Sequence, residues 1–246
     1  MQIDQLPFFL YAKTPLFRNR IAQAQAIVTR ALGKADDWFI AVSGGKDSTC
    51  VLSLVRTVQP SMLAVSSVQE WCLPETTAYL ASIDNLHKVA SGSDHGTGWA
   101  PNWHGKDVLP DDVTWIGERG MVLPNYGLSK NGVFIGLREQ EANYRRVHLR
   151  THGILFFNKK TQIWQCNPLA KWTVFDVWAY IFTNKVPYNH AYDRLTEIGI
   201  KRERQRIGPL AVDRAMQMGQ LATLRRGWPD LWKAYVDRHP EAARWT

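Results

Sequence analysis

Cysteine is scarce. The 246 residues hold three, Cys50, Cys72 and Cys166, too far apart to build a disulfide framework or a C-x-x-C metal or redox pair from sequence neighbours. No apolar run approaches the ~20 residues of a membrane-spanning helix, and Met1-Gln2-Ile3-Asp4 lacks the charged-then-apolar pattern of a secretory leader. A cytoplasmic location is the resulting expectation. Acidic side chains are also short in supply. With 22 against 30 basic ones the net charge is +8, which favours an anionic partner, whether nucleotide, sulfate-like substrate or nucleic acid. The apolar fraction of 45% is that of a soluble globule, and the length fits one α/β domain, alone or with a small appendage.

Glycine stands where it matters most, in Ser43-Gly44-Gly45-Lys46-Asp47-Ser48-Thr49. The apolar residues 37–42 before it have strand character, and residues 49–56 after it carry Val51, Leu52 and Val55 on one side of a helix. Paired glycines let the backbone approach an anion, since no Cβ intervenes and positive φ is open to them. The helix then offers unpaired N–H groups and the positive end of its dipole. The G-x-x-x-x-G-K-[ST] phosphate loop is a different pattern and needs a glycine further upstream. A plain tight turn capped by Ser43 or Asp47 accounts for the glycines but gives Lys46 no role.

This stretch resembles the PP-loop of the ATP pyrophosphatase superfamily, whose members bind ATP and cut between its α- and β-phosphates. Further on, Gly136, Arg138, Glu141 and Arg145 keep a G-x-R-x-x-E-x-x-x-R spacing after the strand-like residues 133–135. That spacing is similar to the one in phosphoadenosine phosphosulfate (PAPS) reductases and in the small subunit of sulfate adenylyltransferase. On a helix Arg138 and Arg145 share a face, with Glu141 between them, so two guanidiniums can grip pyrophosphate or sulfate while Glu141 steadies them. A salt-bridged, solvated helix face is the plainer alternative. Pro168-Leu169, Trp172, Asp176-Val177-Trp178, Tyr180-Ile181 and Pro187-Tyr188 resemble the same family, as does Arg206-Ile207-Gly208.

The resemblance implies an α/β fold: a Rossmann-like parallel sheet with helices on both faces, of the adenine nucleotide alpha hydrolase-like type, plus a C-terminal helical cap. Residues 1–36 then form an N-terminal arm and helix, 37–212 the PP-loop nucleotide-binding domain and 213–246 the cap. It implies ATP or PAPS as ligand, with Mg²⁺, bound by Ser43, Gly44, Gly45, Lys46, Asp47, Ser48 and Thr49. Lys46, Asp47 and Arg138 take the catalytic roles, with Asp47 holding Mg²⁺ or orienting the loop. Glu75, Gly136, Arg138, Glu141, Arg145 and Arg206 bind substrate or pyrophosphate.

The chain departs from the reductases at their redox centre. Those enzymes use a C-terminal Glu-Cys-Gly cysteine as nucleophile, whereas the last cysteine here is Cys166. The four cysteines with which some relatives hold an iron-sulfur cluster are likewise missing, so no cluster is expected. The expected activity is adenylation of an acceptor with release of pyrophosphate. Two alternatives stand beside it. One is a PAPS or adenylylsulfate reductase that takes its thiol from a partner chain or uses Cys72 or Cys166. The other is a nucleotide-regulated accessory protein of a nucleic-acid modification system, with Lys201, Arg202, Arg204, Arg225 and Arg226 contacting phosphates.

The remaining chain supplies the frame. Residues 1–15 read as an arm without period, followed by a helical stripe of Phe17, Ile21, Ala24, Val28 and Leu32 that stops at Gly33. A strand is expected over 62–68, and a helix begun at Pro74 or Glu75 and reaching Leu86. Residues 91–132 are irregular and glycine-rich, and His95 and His104 within them read as loop histidines rather than metal ligands. Residues 154–157 and 162–166 make a hairpin. Thr173 caps an amphipathic helix using Val174, Val177, Trp178 and Ile181, and two helices follow at 213–226 and 229–238.

Overall fold

The fold is that of a computed structural model, which describes residues 3–68, 71–90, 111–115, 130–159, 161–208 and 219–245. Its strands are β1 (Trp38–Ala41), β2 (Ala64–Ser67), β3 (Leu86–Ala90), β4 (Val113–Trp115), β5 (Gly132–Phe134), β6 (Leu155–Asn158) and β7 (Ile163–Cys166). They form one sheet in the order β4-β3-β2-β1-β5-β7-β6. β1 pairs in parallel with β2 and β5, β5 with β7 and β3 with β4, while β6 is antiparallel to β7. The sheet is thus Rossmann-like, with the expected hairpin as its one antiparallel addition. By its internal contacts the chain divides into two units, Met1–Ser66 with Asp84–His87 and Leu123–Tyr188, and Ser67–Ile83 with Lys88–Val122 and Asn189–Thr246.

In the first unit β1 is a continuous apolar run, Trp38-Phe39-Ile40, all buried, as a central parallel strand covered on both faces must be. Helix α3 (Lys46–Val58) follows it and buries Cys50, Val51, Leu54 and Val55 completely. Helix α2 (Pro15–Leu32) starts with Pro15 at its first position, and the Thr14 hydroxyl accepts from the Phe17 N–H at 3.3 Å. Its buried stripe is Phe17, Ala24, Val28 and Ala31.

Two expectations change here. Within the expected arm over 1–15, residues 3–12 are helical: a 3-10 turn at Ile3–Gln5 leads into α1 (Leu6–Ala12). The helix after Thr173, α6 (Val174–Thr183), is buried from Asp176 through Phe182 rather than on one side. One fact explains both. Phe8 of α1 packs on Phe175 and Phe182, with ring centroids 4.7 and 5.6 Å apart, and so covers the face of α6 that would otherwise meet water. The Tyr11 hydroxyl adds a hydrogen bond of 2.6 Å to Asp176 Oδ1. Thr173 caps α6 as expected: its hydroxyl accepts from the Asp176 N–H, and the Asp176 carboxylate accepts from the Thr173 N–H in return.

In the second unit α4 (Pro74–Ala81) begins at Pro74, as the sequence predicts, but ends before Leu86. Asn85, which falls in the first unit, adopts φ +49°, and the chain leaves this turn as β3, a strand absent from the sequence reading. Helix α7 (Ala191–Glu197) follows, then α8 (Gln220–Gly227) and α9 (Pro229–Arg238), with Trp228 buried at their junction. The helix expected at 213–226 is present from Gln220 onward, and its earlier part lies outside the described residues, as do His95, His104 and nearly all of 91–132. Among the described residues no helix is long and apolar enough to cross a membrane.

Candidate active site

At the carboxyl end of β1 the chain turns through Gly44 at φ +74°, a conformation that favours glycine, and enters α3 at Lys46. The loop is closed by its own hydroxyls. Ser48 Oγ donates to the Gly45 carbonyl at 2.9 Å and accepts from the Ser43 N–H at 3.2 Å, and Thr49 Oγ1 donates to the same carbonyl at 3.0 Å. Gly45, at the N-cap position, supplies no capping side chain, which is the arrangement in which a bound anion takes that part.

Lys46 is buried at 4% exposure, with Nζ 3.3 Å from Asp47 Oδ2. The other Asp47 oxygen accepts from Arg138 Nε at 2.5 Å. Arg138 is itself buried at 3% exposure, and its Nη1 donates to Gln140 Oε1 at 3.2 Å. That oxygen also accepts the Val174 N–H at 2.7 Å, and two donors on one atom fix which way the amide faces. Two cations thus meet one carboxylate at the positive end of α3, a net positive pocket of low dielectric.

The sequence placed Arg138 and Arg145 on one helix face, and the structure corrects this. A 3-10 turn at Glu139–Glu141 separates Arg138 from α5 (Asn143–His152). The two arginines meet instead at Glu141 Oε2, which accepts from the Arg138 backbone N–H at 3.1 Å and from Arg145 Nη1. Arg145 Nε also donates to the Tyr144 hydroxyl at 3.1 Å. Gly136 lies against the start of α3: a Cβ there would stand 2.9 Å from the Asp47 carbonyl carbon and 3.0 Å from the Ser48 nitrogen. Its place in the motif is therefore a matter of close approach to the loop.

Glu75 and Arg206 belong to the second unit. Glu75 accepts from the Trp228 indole N–H, at 3.0 Å on Oε1 and 2.9 Å on Oε2. Arg206 is exposed and lines a cavity of about 310 Å³ together with Leu73, Leu195 and Trp228. Two of the basic side chains offered to nucleic acid are engaged within the fold. Arg202 is buried and donates to Asp193 Oδ1 at 2.7 Å, and Arg226 donates to the Ile198 carbonyl at 2.7 Å. Burial raises the pKa of all three thiols; for Cys50 the nearby Asp47 charge adds to the effect. Gln140 is the residue that sequence reasoning missed, since it fills a variable place in the motif and shows its role only through its two donors.

The model of the phosphoadenosine phosphosulfate reductase domain matches residues 37–200. The chain belongs to that family. Among curated proteins it is 27% identical over 223 residues to an uncharacterized protein of Methanocaldococcus jannaschii, covering 84% of this chain and 43% of the relative. The chain thus spans less than half the length of the curated relative it matches. Among solved structures it resembles PAPS reductase from Candida auris in a phosphate complex, with TM-score 0.52 and 18% identity over 76% of this chain and 88% of that one. It also resembles Candida glabrata FMN adenylyltransferase in complex with ATP, with TM-score 0.53 and 12% identity over 74% of this chain and 60% of that one. At these identities the structural neighbours establish the fold alone, a Rossmann-like α/β sheet.

Proposed function

We propose that this PAPS reductase-family chain binds ATP at the Ser43–Thr49 loop and cleaves it between the α- and β-phosphates, adenylating an acceptor and releasing pyrophosphate. The observation that carries this reading is Lys46, a buried ammonium at the uncapped start of α3 beside the Asp47–Arg138 pair. An oxygen of the acceptor attacks the α-phosphorus, the bond to the bridging oxygen breaks, and the pyrophosphate leaves with that electron pair. Lys46 and the loop N–H groups stabilise charge on the β- and γ-phosphates. Arg145 lies within one carboxylate of Arg138 and binds the acceptor or the departing pyrophosphate.

Both Asp47 oxygens accept from cations, which supports a role in orienting the loop. No cluster of three His, Cys, Asp or Glu residues fit to hold a metal occurs among the described residues. Mg²⁺ fits here as a companion of the nucleotide's phosphates, keeping most of its water, and would neutralise phosphate charge. Cys50 and Cys166 are buried and Cys72 is half-buried, which favours adenylation over a reductase that relies on the chain's own cysteines.

The test is turnover of α-labelled ATP with Mg²⁺, alone and with sulfate or cell extract, separating AMP, adenylylated product, ADP and pyrophosphate. Pyrophosphate with AMP or an adenylylate, lost in Lys46→Ala, is the expected result. ADP as the nucleotide product, or α,β cleavage that survives Lys46→Ala, would overturn the reading.

A further inference from the structure

Beside the site a second concentration of positive charge remains. Arg146 and Arg150 of α5, Arg20 of α2 and Lys171 line a cleft of about 340 Å³ whose other walls include Gln140 and Trp172. Glu139 is the one carboxylate in that lining, and Lys171 Nζ lies 2.5 Å from its Oε1. Three cations remain uncompensated by acid. Arg20 is anchored by donating to the Lys171 carbonyl and Arg146 by donating to Asn143 Oδ1, while Arg150 has no partner among the described residues. A cleft lined by four cations and one carboxylate carries a net positive charge that favours an anion. Gln140 has its oxygen committed to Arg138 and Val174, so the group it can offer a ligand is its NH₂.

We propose that this cleft is an anion site that takes the phosphate of a phosphorylated small molecule, the acceptor of the adenylyl group. Arginine forks and an amide N–H match the three oxygens of a phosphomonoester better than a single carboxylate. The volume suits a small molecule, and the buried Trp172 gives it a partly apolar wall. Gln140 connects the two sites, lining the cleft while it holds Arg138 at the PP-loop. The acceptor role rests on the adenylation reading, whereas occupation of the cleft by phosphate does not.

The experiment is equilibrium dialysis of labelled inorganic phosphate against the full chain carrying Lys46→Ala, which removes the PP-loop's main cation, with and without Arg146→Ala and Arg150→Ala. Both arginines are exposed, and circular dichroism checks that the fold persists. The expected result is about one bound phosphate with Lys46→Ala alone, weakened tenfold or more by the added pair. No binding with Lys46→Ala, or binding unchanged by the pair, overturns the proposal. A single-stranded oligonucleotide that binds with steep salt dependence, is lost with the same pair and is not displaced by phosphate overturns it in favour of a nucleic-acid surface. Dialysis involves no turnover, so an inactive enzyme that still binds phosphate in the cleft would sink the adenylation reading alone.

Discussion

Asp47 and Arg138, 91 positions apart, form an ion pair with Nε 2.5 Å from Oδ1, the arginine buried and the carboxylate largely so. The pair joins the first turn of α3 to the segment after β5, and so couples the Ser43–Thr49 loop to the second motif. Asp47 is the hub, with one oxygen for Arg138 and the other toward Lys46. Removing either partner leaves a charge with little water to replace it.

Arg138→Ala is therefore expected to cost about 3 kcal/mol of stability, read from urea unfolding with the slope unchanged. Arg138→Lys should recover part of this and little of the activity, because an ammonium cannot donate to Asp47 and Gln140 in the geometry of the guanidinium. Equal stability in all three chains would show that the pair is not a structural hub.

Gly136→Ala puts a methyl group against the backbone of Asp47 and Ser48. The loop must shift, costing about 1–3 kcal/mol, and ATP affinity should fall together with the melting temperature. A variant that binds ATP as tightly as the parent chain would contradict the close approach.

Tyr11→Phe removes the donor to the buried Asp176 and should cost about 1–3 kcal/mol at neutral pH. Burial, then the Asp176 hydrogen bond, raise the Tyr11 pKa above its ordinary 10.0. The folded state thus holds the phenolic proton more tightly than the unfolded one. The contribution is complete below pH 10 and is lost as pH rises above it, so the stability gap between parent and variant should narrow only in alkali. A gap that widens in alkali would contradict this sign.

Iodoacetamide at pH 8 should label Cys50, Cys72 and Cys166 at least about tenfold more slowly in the native chain than in urea, since burial keeps the thiols protonated. Intact mass over time gives the rates. Fast native labelling of Cys72 would revive the reductase alternative.

The loop was legible because its chemistry is local: two glycines, a lysine and hydroxyls between a strand and a helix need no tertiary information. The hairpin and the Thr173 cap were legible for the same reason. The Asp47–Arg138 pair was not, since the partners follow two neighbouring strands far apart in sequence and the motif spacing read as a single helix face. Strand β3 escaped because Leu86-His87-Lys88-Val89-Ala90 runs on from helix-forming residues, with only Asn85 to mark the break. Helix α1 was hidden because its purpose, shielding α6, exists only once α6 is folded. Glu75 was picked by motif alone, and its contact with Trp228 lies 153 residues away.

The amide of Gln140 has a mechanical consequence. By accepting from both Arg138 and Val174 it ties the loop to the first turn of α6, where Thr173 and Asp176 cap the helix and Tyr11 reaches in from α1. Helix α1 is thereby a strut for the Ser43–Thr49 loop, and cutting it away would loosen the loop from behind without touching any of the loop's own atoms.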